Sequence, residues 1–368
     1  MSDNRYLPWF QGCAAGVTLE AIGVPHETLT FEEIQRLTGG KGLSGLQPAL
    51  RRSENASIRR IRLGGTSDDW QHWRAVARSL LHRNGTFDRI DVARELVLEY
   101  HRCTHGWGGS SKDAIRRISR TFDFGGIESL YPEIPPRRKK RPVPGVPLNA
   151  KGCGNGVGMK VGPLAMASLM KEHDSDPSWL WNSCRELGEL THPDPRAWIA
   201  AYALAWCIRY CLRRSKEPYS IHSAAESEWM LISLIAYLDP LEPVHDDRVT
   251  GRLKMLDKPA TIKSAASLRE TIGTSCYALE SVPFAIGTFL RHPTDVRTGA
   301  NEILNAGGDT DTNIGMYASL AGANVGINNL PADWLEQIPN SRQALALGEA
   351  MEQLVSGKTQ NVHPARFI

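Results

Sequence analysis

An all-α fold is expected for this chain, and three features of the sequence lead to it. Apolar residues recur at helical spacing along most of the length, runs of alternating β-branched residues are nearly absent, and glycine-rich turns and helix-start residues punctuate the apolar segments. Helices are therefore expected over residues 70–82, 88–103, 112–119, 162–172, 195–213, 226–238, 264–272, 278–291, 296–305 and 312–324.

In the first of these, Trp70, Trp73, Ala77, Leu80 and Leu81 trace one apolar face behind a Ser67-Asp68-Asp69 start. Residues 195–213 open on Asp194 and Pro195, with Trp198, Ala201, Ala205 and Ile208 one turn apart behind them. In the last, Ile314, Tyr317, Leu320 and Ala321 are separated by Gly315, Ala318, Gly322 and Ala323, the pattern of a tightly packed internal helix. A further helix and tail are expected over 337–368. Residues 132–147 break the pattern. They contain Pro135-Pro136-Arg137-Arg138-Lys139-Lys140-Arg141-Pro142, whose prolines exclude a regular helix and make the segment a loop.

The chain has 368 residues, 41% of them hydrophobic, which is ample for a large core. A net charge of +3 is small for that length, so no global attraction to nucleic acid or to a membrane follows. Only the run Arg137 to Arg141 could grip an anionic partner, and a solvated loop is the better explanation of it, so nucleic acid is not expected as a partner. The seven cysteines lack the paired short spacings of a zinc site, and Cys207 and Cys211 sit one helical turn apart in an apolar segment, as buried thiols do. That usage suits a reducing, cytoplasmic setting. Nothing resembling a signal-type apolar core follows Met1 to Arg5, and no segment is apolar and long enough to span a bilayer.

Chemistry concentrates in two acidic clusters. Asn305-Ala306-Gly307-Gly308-Asp309-Thr310-Asp311-Thr312-Asn313 and Thr66-Ser67-Asp68-Asp69 offer four carboxylates and several hydroxyls, without Cys or His, each at a helix start. Hard cations such as Mg²⁺ and Mn²⁺ take such oxygen ligands. The two glycines before Asp309 allow a sharp turn that converges neighbouring oxygens. Helix capping is the competing role for these residues, and the sequence leaves it open. Because the clusters flank the Pro-rich stretch, one domain spanning 1–368 is expected.

Three further segments are rich in turn residues. Gly152 to Leu164 places backbone amides at a helix start, which can cradle an anion or simply permit close packing. Gly106-Trp107-Gly108-Gly109-Ser110-Ser111 precedes the helix near Lys112, and Thr191-His192-Pro193 precedes the helix from Pro195.

Taken in order, Gly12-x-x-x-Gly16, Ser67-Asp68-Asp69, the turn before Lys112, Gly154-Asn155-Gly156-x-x-Met159-Lys160-Val161-x-Pro163, Thr191-His192-Pro193, Thr274-Ser275-Cys276-Tyr277 and Gly307-Gly308-Asp309-x-Asp311-Thr312 resemble the ADP-ribosylglycohydrolase family. The resemblance runs from about residue 8 to 336 and includes Leu330-Pro331-Ala332-Asp333-Trp334. It implies an all-α domain with a binuclear centre of two Mg²⁺, or Mn²⁺ in their place. Ser67, Asp68 and Asp69 match one ligand segment, and Asp309, Asp311 and Thr312 the other. Trp107, Gly108, Gly109, Ser110, Gly154, Asn155, Gly156, Met159, His192 and Tyr277 match positions lining an ADP-ribose pocket.

The implied activity is hydrolysis of the N-glycosidic bond between ADP-ribose and a protein side chain, with arginine expected as the acceptor and an ADP-ribosylated protein as substrate. Asp68 and Asp309 would orient the attacking water, and Glu20 is the candidate acid. The family pattern is altered here: relatives read Gly-Asp-Ala-Leu-Gly where this chain has Gly16-Val17-Thr18-Leu19-Glu20. A glutamate found further on in relatives falls on Val24 by direct count, with Glu20 or Glu27 as replacements. These departures motivate an alternative, an immunity-type or binding protein that neutralises a cognate ADP-ribosyltransferase with little turnover. Hydrolysis of ADP-ribosylserine or ADP-ribosylated nucleic acid is a further alternative.

Overall fold

A computed structural model describes residues 6–53, 58–121, 152–214, 224–243 and 247–358. Among them the chain is helical, with no named strand and two isolated antiparallel bridges, Thr30 to Gly307 and Gly154 to Tyr277. The basic segment 137–141, and most of the final tail, lie outside the described residues.

The organising pair is α1 (Leu7–Thr18) and α14 (Thr310–Val325), which pack backbone to backbone. A Cβ on Gly12 would collide with the Gly322 carbonyl, one on Gly16 with the Ala318 carbonyl, and one on Gly322 with the Gly12 carbonyl. That register is antiparallel, so the end of α1 meets the start of α14. The short turn Leu19–Ile22 thereby delivers Glu20 to the N-terminus of α14, where Gly315 faces the Glu20 Cβ. The α15 helix (Ser341–Val355) covers the other side of α1, again through a glycine, Gly348, against Phe10 and Gln11.

Around this pair stand α3 (Asp68–His82), α4 (Arg89–Arg102), α5 (Gly109–Thr121), α6 (Gly162–Ala167), α7 (Pro177–Thr191) and the 20-residue α8 (Pro195–Arg214). Next come α9 (Ala224–Leu238), α10 (Val249–Leu256), α11 (Ala265–Ile272), α12 (Ala278–Arg291) and α13 (Val296–Ala306), with α2 (Phe31–Thr38) near the beginning of the chain. One hydrophobic core, from Phe10 to Leu354, joins them. Arg78, buried in α3, donates to Glu95 of α4 at 2.8 Å and lies 2.9 Å from Glu99, which fixes the two helices to each other.

Every helix expected from periodicity is present, 278–291 with the expected ends and the others with shifted ones. The segment expected over 162–172 stops at Ala167, because Met170 turns the chain extended before a short turn at Lys171–Asp174. Four helices of eight or more residues escaped the periodicity: α1, α2, α7 and α10. In α1 every residue from Gly12 to Thr18 is buried, so no polar face exists to contrast with an apolar one. The α2 helix buries only Ile34, yet Thr30 and Glu33 form a complete capping box, a Thr-x-x-Glu signal present in the sequence. No helix among the described residues is long and apolar enough to cross a membrane.

Candidate metal centre and cleft

The N-termini of α3 and α14 converge with the turn after α1, and the acidic clusters meet there. Ser67 and Asp309 occupy the N-cap positions of α3 and α14, but neither side chain caps its own helix. The Ser67 oxygen instead faces the opposite cluster, and the Asp309 carboxylate accepts from Asn155. Ser67 Oγ donates to Glu20 Oε2 and lies 3.1 Å from Asp311 Oδ2, while Thr312 Oγ1 bonds Asp69 Oδ2 at 3.2 Å. Capping therefore does not explain the residue choice.

Two carboxylate groups result, and Asp311 belongs to both. Glu20, Asp69 and Asp311 bring one oxygen each within 4.8 Å of one another, as do Glu27, Asp309 and Asp311. In the inner group Glu20 and Asp69 are fully buried and Asp311 nearly so; Glu20 Oε1 accepts the Trp70 amide at 3.0 Å. The outer group borders solvent through half-buried Glu27 and Asp309.

Burial and mutual repulsion push these acids up. Glu27 rises to about 8 through burial and the charges of Asp309, Asp68 and Glu20; Asp68 rises to about 7 through burial and Glu20. Asp69 and Asp311 are raised well above the carboxylate range, and Glu20 and Asp309 are raised as well, in each case chiefly by burial. Buried oxygens of three of these residues, Asp69 Oδ1, Asp311 Oδ1 and Glu27 Oε2, have no hydrogen-bond partner. Buried acceptors without donors are costly, and a crowd of them around shared space suits hard cations. The residues present fit a pair of divalent ions.

The backbone that sets the outer group is specific. Gly307 and Gly308 have φ of 75° and 84°, a region that side chains rarely adopt, and they turn the chain into α14. Thr28 donates its amide to the Gly308 carbonyl at 2.9 Å, and Gly308 returns its amide to Leu29 at 2.8 Å. This ladder holds Glu27 beside Asp309. Thr28 itself has φ of 73°, a strained conformation for a β-branched residue that the ladder overdetermines. Across the gap Asn155 Nδ2 donates to Asp309 Oδ2 at 2.7 Å and to Ser281 Oγ at 2.8 Å. Ser281 in turn donates to Asn313 Oδ1 at 2.6 Å, so Asp309 is oriented from α12 and α14 together.

Above the carboxylates opens a cleft of about 460 Å³, in the range of small-ligand sites. Its lining includes Asp68, Gly108, Gly109, Ser110, Gly154, Asn155, Gly156, Met159, His192, Asp309, Asp311 and Thr312, all residues singled out in the sequence. Ser67 and Asp69 lie beneath it. Two expected lining residues go elsewhere: Trp107 is buried edge-on against His72 and donates to Gln71 at 2.6 Å, and the Tyr277 hydroxyl donates to Asp247 at 3.1 Å. Glu20, the expected acid, has no exposed surface and sits outside the cleft lining. Glu27, Thr28, Ser275 and Cys276 line the cleft without having been among the expected site residues. The Thr-Ser-Cys-Tyr run pointed to the last two, and the acidic side chain just beyond Val24 was the signal for Glu27.

An all-α fold with an acidic centre at the mouths of two helices and a glycine-lined cleft above it defines a class. The chain belongs to the ADP-ribosylglycohydrolase family, whose pattern it matches over residues 3–362. It is 24% identical to ADP-ribosylhydrolase ARH3 of Homo sapiens over 382 residues, covering 95% of this chain and 94% of that one. It is likewise 24% identical to the ADP-ribosyl-[dinitrogen reductase] glycohydrolase of Rhodospirillum rubrum, covering 91% and 90%. A solved structure described as an ADP-ribosylglycohydrolase-related protein complex shares the fold, with a TM-score of 0.62 at 23% identity over 96% of this chain and 99% of the other.

Proposed function

We propose that the protein is a cation-dependent hydrolase that removes ADP-ribose from a modified protein side chain, with arginine as the acceptor. The observation that carries this reading is Asp311, shared by two carboxylate groups at the floor of a ligand-sized cleft. Ser67, Asp68, Asp69, Asp309, Asp311 and Thr312 would hold two Mg²⁺, with Mn²⁺ as the substitute. When bound, such cations neutralise the clustered charge, bind ribose hydroxyls and make a water more acidic.

The chain supplies the rest. Glu27, rather than the enclosed Glu20, stands where a proton can be exchanged with a ligand, since it borders the cleft. In hydrolysis water adds to the anomeric carbon through an oxocarbenium-like state, the C–N bond breaks, and the guanidine leaves with a proton. Glu27 takes the water's proton and gives it to the departing guanidine, while Asp68 and Asp309 orient that water; Asn155 fixes Asp309 through its 2.7 Å bond. Gly108, Gly109, Ser110, Gly154, Gly156, Met159 and His192 grip the ADP-ribose body. Glu20 accepts from Ser67 and the Trp70 amide, and so sets the start of α3. Arginine is favoured by charge: six carboxylates, Glu20, Glu27, Asp68, Asp69, Asp309 and Asp311, exceed the charge of two divalent cations, and among the described residues no Lys or Arg lines the cleft. A cationic leaving group is drawn to such a site.

The test is release of free ADP-ribose from ADP-ribosylarginine and ADP-ribosylserine peptides, with Mg²⁺ and with EDTA. Mg²⁺-dependent release from the arginine peptide is expected. Binding of ADP-ribose without release from either peptide would overturn the enzyme, and faster release from serine would overturn the acceptor.

A further inference from the structure

Behind His192 lie two buried polar groups, Lys160 and Thr191, that the reaction above does not use. Lys160 has no exposed surface, and its Nζ donates to Thr191 Oγ1 at 3.0 Å. Thr191 is 1% exposed and also bonds His192 Nδ1, again at 3.0 Å. His192 ends α7, its amide held by the Gly188 carbonyl at 2.7 Å, and its ring lies over the glycine-rich turn. A Cβ on Gly156 would stand 2.6 Å from His192 Cε1 and 3.0 Å from Nε2, so the glycines make room for this ring. His192 is 4% exposed and borders the cleft, and among the described residues Nε2 has no protein partner.

Which nitrogen carries the proton follows from counting donors. A lysine ammonium has three donors and no acceptor, so the Thr191 oxygen must receive that bond. If His192 were protonated on Nδ1, Thr191 would accept twice and its own hydrogen would be buried with nothing to bind. Were Nδ1 bare, the hydroxyl would accept from Lys160 and donate to Nδ1, its hydrogen would have a partner, and the proton would reside on Nε2. We propose that Lys160 and Thr191 are positioning residues that fix His192 as its Nε2–H tautomer, presenting one N–H donor to an oxygen acceptor of the ligand, a phosphoryl or ribose oxygen. Burial agrees with this arrangement, since it brings His192 down to about 3 and leaves the ring neutral at ordinary pH. Lys160, pushed down to about 7 by burial against the opposing pull of Asp68, is an ammonium at pH 6.

The inference takes the ligand to be ADP-ribose, as proposed above, but its first test does not require that. Long-range proton–nitrogen correlation on the ¹⁵N-labelled full chain at pH 6 reads the tautomer, with His192→Gln assigning the signals. A bare Nδ1 and protonated Nε2 are expected in the unsubstituted protein; protonation on Nδ1, or on both nitrogens, would overturn the proposal. In Thr191→Val the signature is expected to turn into a mixture and ADP-ribose binding to weaken by about tenfold, the worth of one hydrogen bond. Thr191→Ser should restore both to within about twofold. An unchanged signature in Thr191→Val would also overturn it. If Thr191→Val does not fold, the unsubstituted spectrum decides by itself. If ADP-ribose does not bind the unsubstituted protein, the ligand reading fails while the spectrum still decides the tautomer.

Discussion

The two carboxylate groups share Asp311 yet are built in opposite ways. The inner one, Glu20 and Asp69, is sealed between α1, α3 and α14, with Glu20 tied to Ser67 and the Trp70 amide. Its partners come from helix ends whose register is set by glycine contacts such as Gly16 on Ala318. The outer one, Glu27 and Asp309, hangs on loops joined by the Thr28–Gly308 ladder and opens to the cleft. The inner group is thus a rigid seat, whereas the outer group is the part able to meet a ligand and move a proton. Preorganisation on one side lets strain and exposure be tolerated on the other.

Substitutions should separate these roles, beginning with the residue they share. Asp311→Asn is expected to abolish Mg²⁺-dependent release of ADP-ribose and to lose Mn²⁺ binding at both positions in calorimetry; retention of one full-affinity site would break the idea of a shared ligand. Glu27→Gln should lower kcat by about 10²- to 10⁴-fold, the range for loss of a general acid or base, with cation binding at the inner group kept. Asn155→Ala acts one step back, through Asp309, and a loss of about 10- to 100-fold is expected in steady-state kinetics. Glu20→Gln should cost less activity than Glu27→Gln; the reverse ranking would restore Glu20 as the acid.

A smaller effect concerns pH. In the cation-free fold Glu27 and Asp68 are raised to about 8 and about 7, above their usual values of about 4. Their contribution to stability is complete below about pH 4, falls above it because the unfolded chain has given up protons that the fold retains, and is gone once pH has climbed through 7 and 8. Cations compete with those same protons, so the gain in Tm from Mg²⁺ should grow between pH 5.5 and 8.5. At a hundredfold excess over Kd, one cation adds about 2.7 kcal/mol. A gain that shrinks with rising pH in differential scanning calorimetry would contradict the placement of the ions among these acids.

The same contrast explains what was legible in the sequence. Ser67-Asp68-Asp69 and Asp309-x-Asp311-Thr312 are contiguous runs at helix starts, and the structure brings them within hydrogen-bond distance. Glu27 was obscured because direct counting lands on Val24, and only the pairing of Thr28 with Gly308 brings its carboxylate to the centre. At Gly106, which opens the turn before Lys112, there is no room for a side chain: a Cβ would stand 2.7 Å from Asp68 Oδ1 and from Ser67 Cβ. Trp107 shared a motif with Gly108 and Ser110, but adjacency in a turn does not give adjacency in space, and its indole went to the core. The α1 helix escaped because burial on all sides erases the periodicity that reveals other helices.

Anomalous diffraction from crystals soaked in Mn²⁺ tests the shared-carboxylate account most directly. Two peaks are predicted, both in contact with Asp311, one beside Asp69 and the other beside Asp309 and Glu27. A single peak, or two peaks of which one leaves Asp311 untouched, would contradict it.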